Sequence, residues 1–165
     1  MMDYSLSQVG EKSPFPGSSN LLSQNPYIKH YTTFDGLPSN IINNVLQDSH
    51  KFIWFATDAG AVRFDGSKFV IYTRREGLNT SKIIRIKEDS FGRVWITNWD
   101  GSLNFFFQNK IYNQANAPFL DSLRPNDPFH DFFEDDDRTI YFYNAMYEIF
   151  ALDKNNHVRK FDNVR

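Results

Sequence analysis

The sequence predicts an all-β protein, a partial β-propeller of about three four-stranded antiparallel blades, and three observations carry this. First, residues 28–64 overlay residues 69–105 at a constant offset of 41, so that Tyr31-Thr32 meets Tyr72-Thr73 and Gly36-Leu37 meets Gly77-Leu78. In the same register Ile42, Asp48-Ser49, Trp54, Gly60 and Phe64 meet Ile83, Asp89-Ser90, Trp95, Gly101 and Phe105. Second, each unit holds several short apolar runs separated by turn residues, and a period near 40 residues is what one four-stranded propeller blade requires. Third, aromatic residues make up 17% of the chain, a composition that favours strands over helices.

Residues 1–26 are rich in Ser, Gln, Asn, Gly and Pro without apolar periodicity, and read as a flexible leader. Order is expected from 27 to 165, beginning with the strand-like alternation of 27–32. The first blade, about 36–73, should contain strands at 41–47, 51–57, 60–64 and 68–73. Its turns fall at Asp48-Ser49, at Asp58-Ala59-Gly60, and at Asp65-Gly66, a strong hairpin signal. The second blade, about 77–113, repeats this with strands at 83–88, 93–98, 102–107 and 110–113. A degraded third blade, about 129–162, appears when the offset becomes 46, placing Glu88-Asp89 over Glu134-Asp135 and Trp95 over Tyr141. Its strands are expected near 129–134, 138–143, 146–152 and 157–162. Between the second and third blades, 113–128 contains Pro118, Pro125 and Pro128 and reads as a long loop. In such a meander the loops after each second strand and the connections between blades share one face.

The bulk numbers bound the function. A formal net charge of -2 offers no broad attraction to phosphate backbones or anionic lipid, so neither nucleic acid nor a membrane surface is an expected target. The absence of cysteine removes disulfides and thiolate chemistry, and the N-terminal residues show no export-signal pattern.

The string Tyr31-Thr32-Thr33-Phe34-Asp35-Gly36-Leu37-Pro38-Ser39-Asn40, followed by Asp48-Ser49, Ile53-Trp54-Phe55-Ala56-Thr57 and Gly60-Ala61-Val62-Arg63-Phe64-Asp65-Gly66, resembles the two-component regulator propeller repeat. Glu76-Gly77-Leu78, Glu88-Asp89-Ser90, Gly92-Arg93-Val94-Trp95-Ile96 and Asp100-Gly101 carry the resemblance into the second unit. Such repeats fill the periplasmic sensor regions of hybrid two-component histidine kinases, in rings of more blades than are found here. The resemblance therefore implies a periplasmic, ligand-sensing segment of a signalling receptor, with a carbohydrate, often an oligosaccharide, as the ligand class.

Trp54 and Trp95 recur at one blade position and read as packing between blades. Trp99 falls outside the repeat, opposite Asp58. It reads either as packing over a neighbouring blade or as a platform for a sugar ring, with Asn98 and Asp100 bonding the hydroxyls. Arg74-Arg75, with Asn79, lies in the connection on the same face. It is a solvated charge pair, or, in a functional reading, a contact for an acidic sugar or carboxylate. Glu134-Asp135-Asp136-Asp137 lacks the glycine and spacing of a calcium loop and reads as a hairpin turn. The four histidines are scattered, so no metal and no cofactor is assigned. Nothing resembles a nucleophile elbow or a phosphate-binding glycine loop, so no enzyme activity is expected.

Because each blade buries both faces against neighbours, three blades should leave apolar sheet faces open. The expected partners are therefore the remaining blades of a longer chain or other copies of this one. Two alternatives stand beside the sensor reading: a propeller scaffold for a protein partner, and a fragment of a propeller lyase or glycosidase.

Overall fold

The computed structural model describes residues 29–161, so the expected leader 1–26 lies outside the described residues. The chain divides into Met1–His30 and a second unit, Tyr31–Arg165, which holds all the strands described here. Blade 1 comprises β1 (Ile42–Gln47), β2 (Ile53–Thr57), β3 (Gly60–Phe64) and β4 (Phe69–Tyr72). Blade 2 comprises β5 (Ile83–Glu88), β6 (Val94–Asn98), β7 (Leu103–Phe107) and β8 (Lys110–Tyr112). Blade 3 comprises β9 (Asp131–Glu134), β10 (Ile140–Tyr143), β11 (Ile149–Leu152) and β12 (Val158–Phe161). Each sheet is an antiparallel meander whose strands keep chain order.

One motif organises the start of every blade. At the first hairpin, Asp48 accepts hydrogen bonds from the backbone N–H groups of His50 and Phe52 at 3.0 and 2.9 Å and from Trp54 Nε1 at 2.7 Å. Asp89 does the same for Phe91, Arg93 and Trp95 Nε1 at 2.9, 2.9 and 2.8 Å. In blade 3, Asp135 accepts from Thr139 N at 2.8 Å, and the hydrogen bond between Tyr141 and Asp135 is the main cause of the raised phenol pKa. In blades 1 and 2 a buried carboxylate thus satisfies turn amides and fixes the indole that faces the next blade; in blade 3 the carboxylate and the phenol are half-buried. Trp54 packs against Tyr72 and Phe106, with ring centroids 5.6 and 5.0 Å away, and Trp95 against Phe105 and Phe142 at 5.1 and 5.0 Å.

Polar links between blades repeat as well. Ser49 N and Oγ each donate to the Glu88 carboxylate at 2.7 Å, and Ser90 makes the same pair of bonds to Glu134. Asn43 Nδ2 donates to the carbonyl of Ile83 at 2.8 Å, and Ile86 N donates to Asn44 Oδ1 at 3.0 Å. The outer face of blade 1 remains open, as burial at equivalent positions shows. Ile86 and Phe132 are 2% and 5% exposed, whereas Val45 is 55% exposed.

Two sequence expectations are corrected. Residues 29–32, the described part of the alternating stretch 27–32, are not in a strand. The equivalent Tyr72 completes β4 by pairing with Ala61 of β3, and among the described residues no strand precedes Tyr31 to offer such a ladder. Instead the Tyr31 ring packs edge-on against Phe64 and Phe69, 5.1 and 5.4 Å away.

The constant offset of 41 also fails beyond the second strand. Trp54 pairs with Arg63, but Trp95 pairs with Phe105, so the true partner of Arg63 in the repeat is Phe105 and that of Phe64 is Phe106. Blade 2 carries one extra residue between β6 and β7. Gly60 lies in β3 opposite Thr57, whereas Gly101 lies in a three-residue loop at φ 81°, a left-handed position that favours glycine.

The segment 113–128 is a strandless loop between blades 2 and 3, and it packs into the core. A 3₁₀ turn over Pro118–Ser122 buries Leu120, and Ala117 and Leu123 flank it in the core beside Trp95 and Phe129. Their spacing of three residues is the 3₁₀ period, which puts all three on one face.

Candidate functional site

The connection between blades 1 and 2 begins with a capped turn. Thr73 N and Oγ1 donate to Glu76 Oε2 at 2.8 and 2.7 Å, and Arg75 N donates to Thr73 Oγ1 at 3.2 Å. The Thr73 hydroxyl and amide hold the Glu76 carboxyl below its usual range. Arg74 and Arg75 ride on this turn, exposed. Thr32 and Asp35 build the same box before blade 1, with Thr32 N donating to Asp35 Oδ2 at 2.7 Å.

After β6 the chain makes the loop that carries Trp99. Gly101 N donates to the Asn98 carbonyl at 3.1 Å, closing the turn, and Asp100 Oδ1 accepts from Ser102 N and Oγ at 3.0 and 2.6 Å. Asn98 is fully buried; its Nδ2 donates to Ser102 Oγ at 2.9 Å and to Asn104 Oδ1 at 2.7 Å. Asn104 Oδ1 also accepts from Asn79 N at 3.1 Å, so one amide ties the connection between blades to the loop. Trp99, whose ring has no polar partner among the described residues, stands 66% exposed at the tip.

The structure brings Asn79 and Asp100 together. They line a groove of about 340 Å³ with Ser102, Gln114, Arg124 and Pro125. Asn98 lies buried and braces the loop, while Trp99, Arg74 and Arg75 do not line the groove. Gln114 and Arg124 come from the packed segment after blade 2, whose path the repeat does not encode, so sequence reasoning missed them.

Blade 3 presents an equivalent loop. Tyr147 N donates to the Asn144 carbonyl at 3.3 Å, with Tyr147 at φ 61° where blade 2 has Gly101. Tyr147 is 80% exposed. Beneath it Glu148 is buried, which by itself would push its carboxyl up. Hydrogen bonds from Lys160 Nζ at 2.8 Å, Asn144 Nδ2 at 2.7 Å, and Asn126 N and Nδ2 at 2.8 and 2.6 Å outweigh burial and lower it to about 2. Glu134-Asp135-Asp136-Asp137 forms the first hairpin of blade 3, with Asp135 N donating to the Thr139 carbonyl at 3.0 Å.

Residues 36–59, from the turn before blade 1 through β2, match the family model described as two component regulator propeller. This stretch is similar to a two-component regulator propeller repeat. No curated protein matches the chain. Among solved structures, the repeat-bearing chain is similar to the extracellular domain described for the hybrid two component system BT3049 from B. thetaiotaomicron. That match has 17% identity over 82% of this chain and 26% of that one, with a TM-score of 0.44. It is also similar to the extracellular domain of the hybrid two component system BT4673 from the same organism, at 14% identity over 77% of this chain and 25% of that one, with a TM-score of 0.46. The chain thus spans about a quarter of the length of those structures. Among the described residues no helix is long and apolar enough to cross a membrane.

Proposed function

We propose that this chain is a ligand-sensing segment of a two-component signalling sensor, that it acts outside the cytoplasm without catalysing a reaction, and that its ligand is an oligosaccharide. The propeller repeat supports the sensor role. The single observation that favours a sugar is the face built by the loops after β6 and β10. There the exposed Trp99 adjoins Asp100 beside a groove whose polar lining is two amides, one hydroxyl, one carboxylate and one arginine. Aromatic faces take up the apolar side of a sugar ring, while such polar groups bond its hydroxyls.

Signalling requires that the sugar bind one arrangement of the receptor more tightly than another. The open face of blade 1 fits a segment that stacks against further blades or other copies; light scattering on the purified chain reads such association. For the ligand, calorimetric titration of the sensor region with neutral oligosaccharides is the test. Trp99→Ala should weaken binding by about tenfold or more, equivalent to roughly 1.4 kcal/mol. Unchanged affinity in both Trp99→Ala and Tyr147→Ala would remove the stacking role.

A further inference from the structure

On the opposite face, where the first and third hairpins of each blade lie, the repeat exposes a cation that its sister blade neutralises. In blade 2 the guanidinium of Arg93 lies over Phe91 and Trp95, 5.1 Å from each ring centre, and its Nε donates to Asp89 Oδ2 at 2.6 Å. Blade 1 exchanges the two positions: Phe52 stands where blade 2 has Arg93, and Arg63, opposite Trp54, stands where blade 2 has Phe105. The guanidinium therefore fills the same slot beside the tryptophan from a neighbouring strand. Arg63 Cζ lies 4.6 Å from the Phe52 centroid, 5.1 Å from Phe106 and 5.9 Å from Trp54.

The carboxylate does not follow. Asp48 accepts from His50 N, Phe52 N and Trp54 Nε1, and Arg63 does not take the fourth place that Arg93 Nε takes on Asp89. Among the described residues Arg63 makes no hydrogen bond or ion pair, although it is partly buried. Three aromatic faces stabilise the positive charge but accept none of its five N–H groups in the plane of the guanidinium. The groove beside it, about 390 Å³, is lined by His50, Gln108 and Asn109 as polar groups and by Phe91 and Phe107 as apolar walls. The Asp48 carboxylate, turned toward its turn amides and the Trp54 indole, also borders it.

We infer that this groove between blades 1 and 2 is a binding site for a small carboxylate carried on an apolar ring or chain, with Arg63 as the anchoring fork. The carboxylate would supply to Arg63 what Asp89 supplies to Arg93. A planar guanidinium pre-positioned by stacking loses little freedom on bidentate pairing, so the pair is favoured over a contact with lysine. His50 and Asn109 stand at the rim to meet the second oxygen, and the phenylalanine walls meet the apolar body. The site is on the other face from the proposed sugar groove and does not depend on it.

Benzoate tests this, with benzamide as its neutral isostere, by titration of the ¹⁵N-labelled full chain at constant ionic strength. Benzoate should move the signals of Arg63, His50 and Asn109 with a Kd of about 1 mM or tighter, and benzamide should bind at least about tenfold more weakly. Arg63→Met keeps the stem against the rings and should abolish the benzoate response; Arg63→Lys, which keeps charge without the fork, should weaken it severalfold. Equal responses to benzoate and benzamide, benzoate shifts that persist in Arg63→Met, or no shift near Arg63 at all would each overturn the proposal.

Discussion

Replacing Asp89 with alanine probes the part of the structure that every blade repeats. The side chain is 6% exposed, and four donors end on it: Phe91 N, Arg93 N, Arg93 Nε and Trp95 Nε1. Removing it strands the indole N–H in a fully packed interface, at roughly 1–3 kcal/mol for the lost acceptor alone. It also leaves a mostly buried guanidinium without its anion, and breaking such a pair brings the total to roughly 3–5 kcal/mol. Asp48→Ala is the internal control, because its carboxylate holds the same turn and the same kind of indole but no arginine. Its expected loss is smaller, roughly 2–3 kcal/mol. Urea unfolding followed by tryptophan fluorescence measures both, and a shift in midpoint at constant slope isolates stability. Losses within about 0.5 kcal/mol of the parent for both variants, or a larger loss for Asp48→Ala than for Asp89→Ala, would refute the reasoning.

Two further perturbations follow from local geometry. The Glu148 carboxyl is lowered in the fold to about 2 from an ordinary value of 4.5, so its contribution is complete above pH 4.5 and is lost as pH falls toward 2. It amounts to at most about 3 kcal/mol; Glu148→Gln should flatten this acid limb in urea midpoints measured against pH, and an unchanged limb would show that Glu148 is not held by Lys160 and Asn126. A Cβ at Gly60 would lie 2.7 Å from the Tyr72 carbonyl oxygen with φ at 142°, whereas one at Gly66 meets nothing within 4 Å. Gly60→Ala should therefore cost several times the roughly 1 kcal/mol that the left-handed backbone alone imposes on Gly66→Ala, read as paired denaturation midpoints.

Much of this architecture was legible because identical physical tasks leave identical residues. Asp48 and Asp89 recur at the first hairpin and Trp54 and Trp95 six positions later, since a turn needs an acceptor and the interface needs a ring. The sequence reading saw a turn and a core residue separately and did not connect them through the indole hydrogen bond. Residue identity misled where two glycines do different work. Gly60 and Gly101 align at the offset of 41, yet one is a strand residue crowded by a neighbouring carbonyl and the other sits in a bulged loop; the same offset equates Phe64 with Phe105, although Phe64 lies on the outer face of blade 1 and Phe105 on the face of blade 2 that meets blade 3. The extra residue is what lifts Trp99 to the surface.

The candidate groove was half legible. Asn79 and Asp100 lie in loops that the meander topology already assigns to one face, whereas Gln114 and Arg124 belong to a segment without a counterpart in blade 1. The charge at Arg63 could be seen in the sequence only by comparing correct registers: once Arg63 is placed over Phe105, the exchange of Phe52 and Arg63 for Arg93 and Phe105 becomes visible.

The chain contains three tryptophans, and their indole N–H groups report on the repeated blade and the exposed loop together. In ¹H–¹⁵N spectra of the full chain, the Trp54 and Trp95 indole protons, both donated to buried aspartates, should be shifted downfield and exchange slowly. The Trp99 indole should exchange as rapidly as that of a free peptide. Two protected signals and one unprotected signal, with Asp48→Ala and Asp89→Ala each releasing a different protected one, is the predicted result. Three equivalent signals, or one protected signal lost in both variants, would contradict a structure built from stacked copies of one blade.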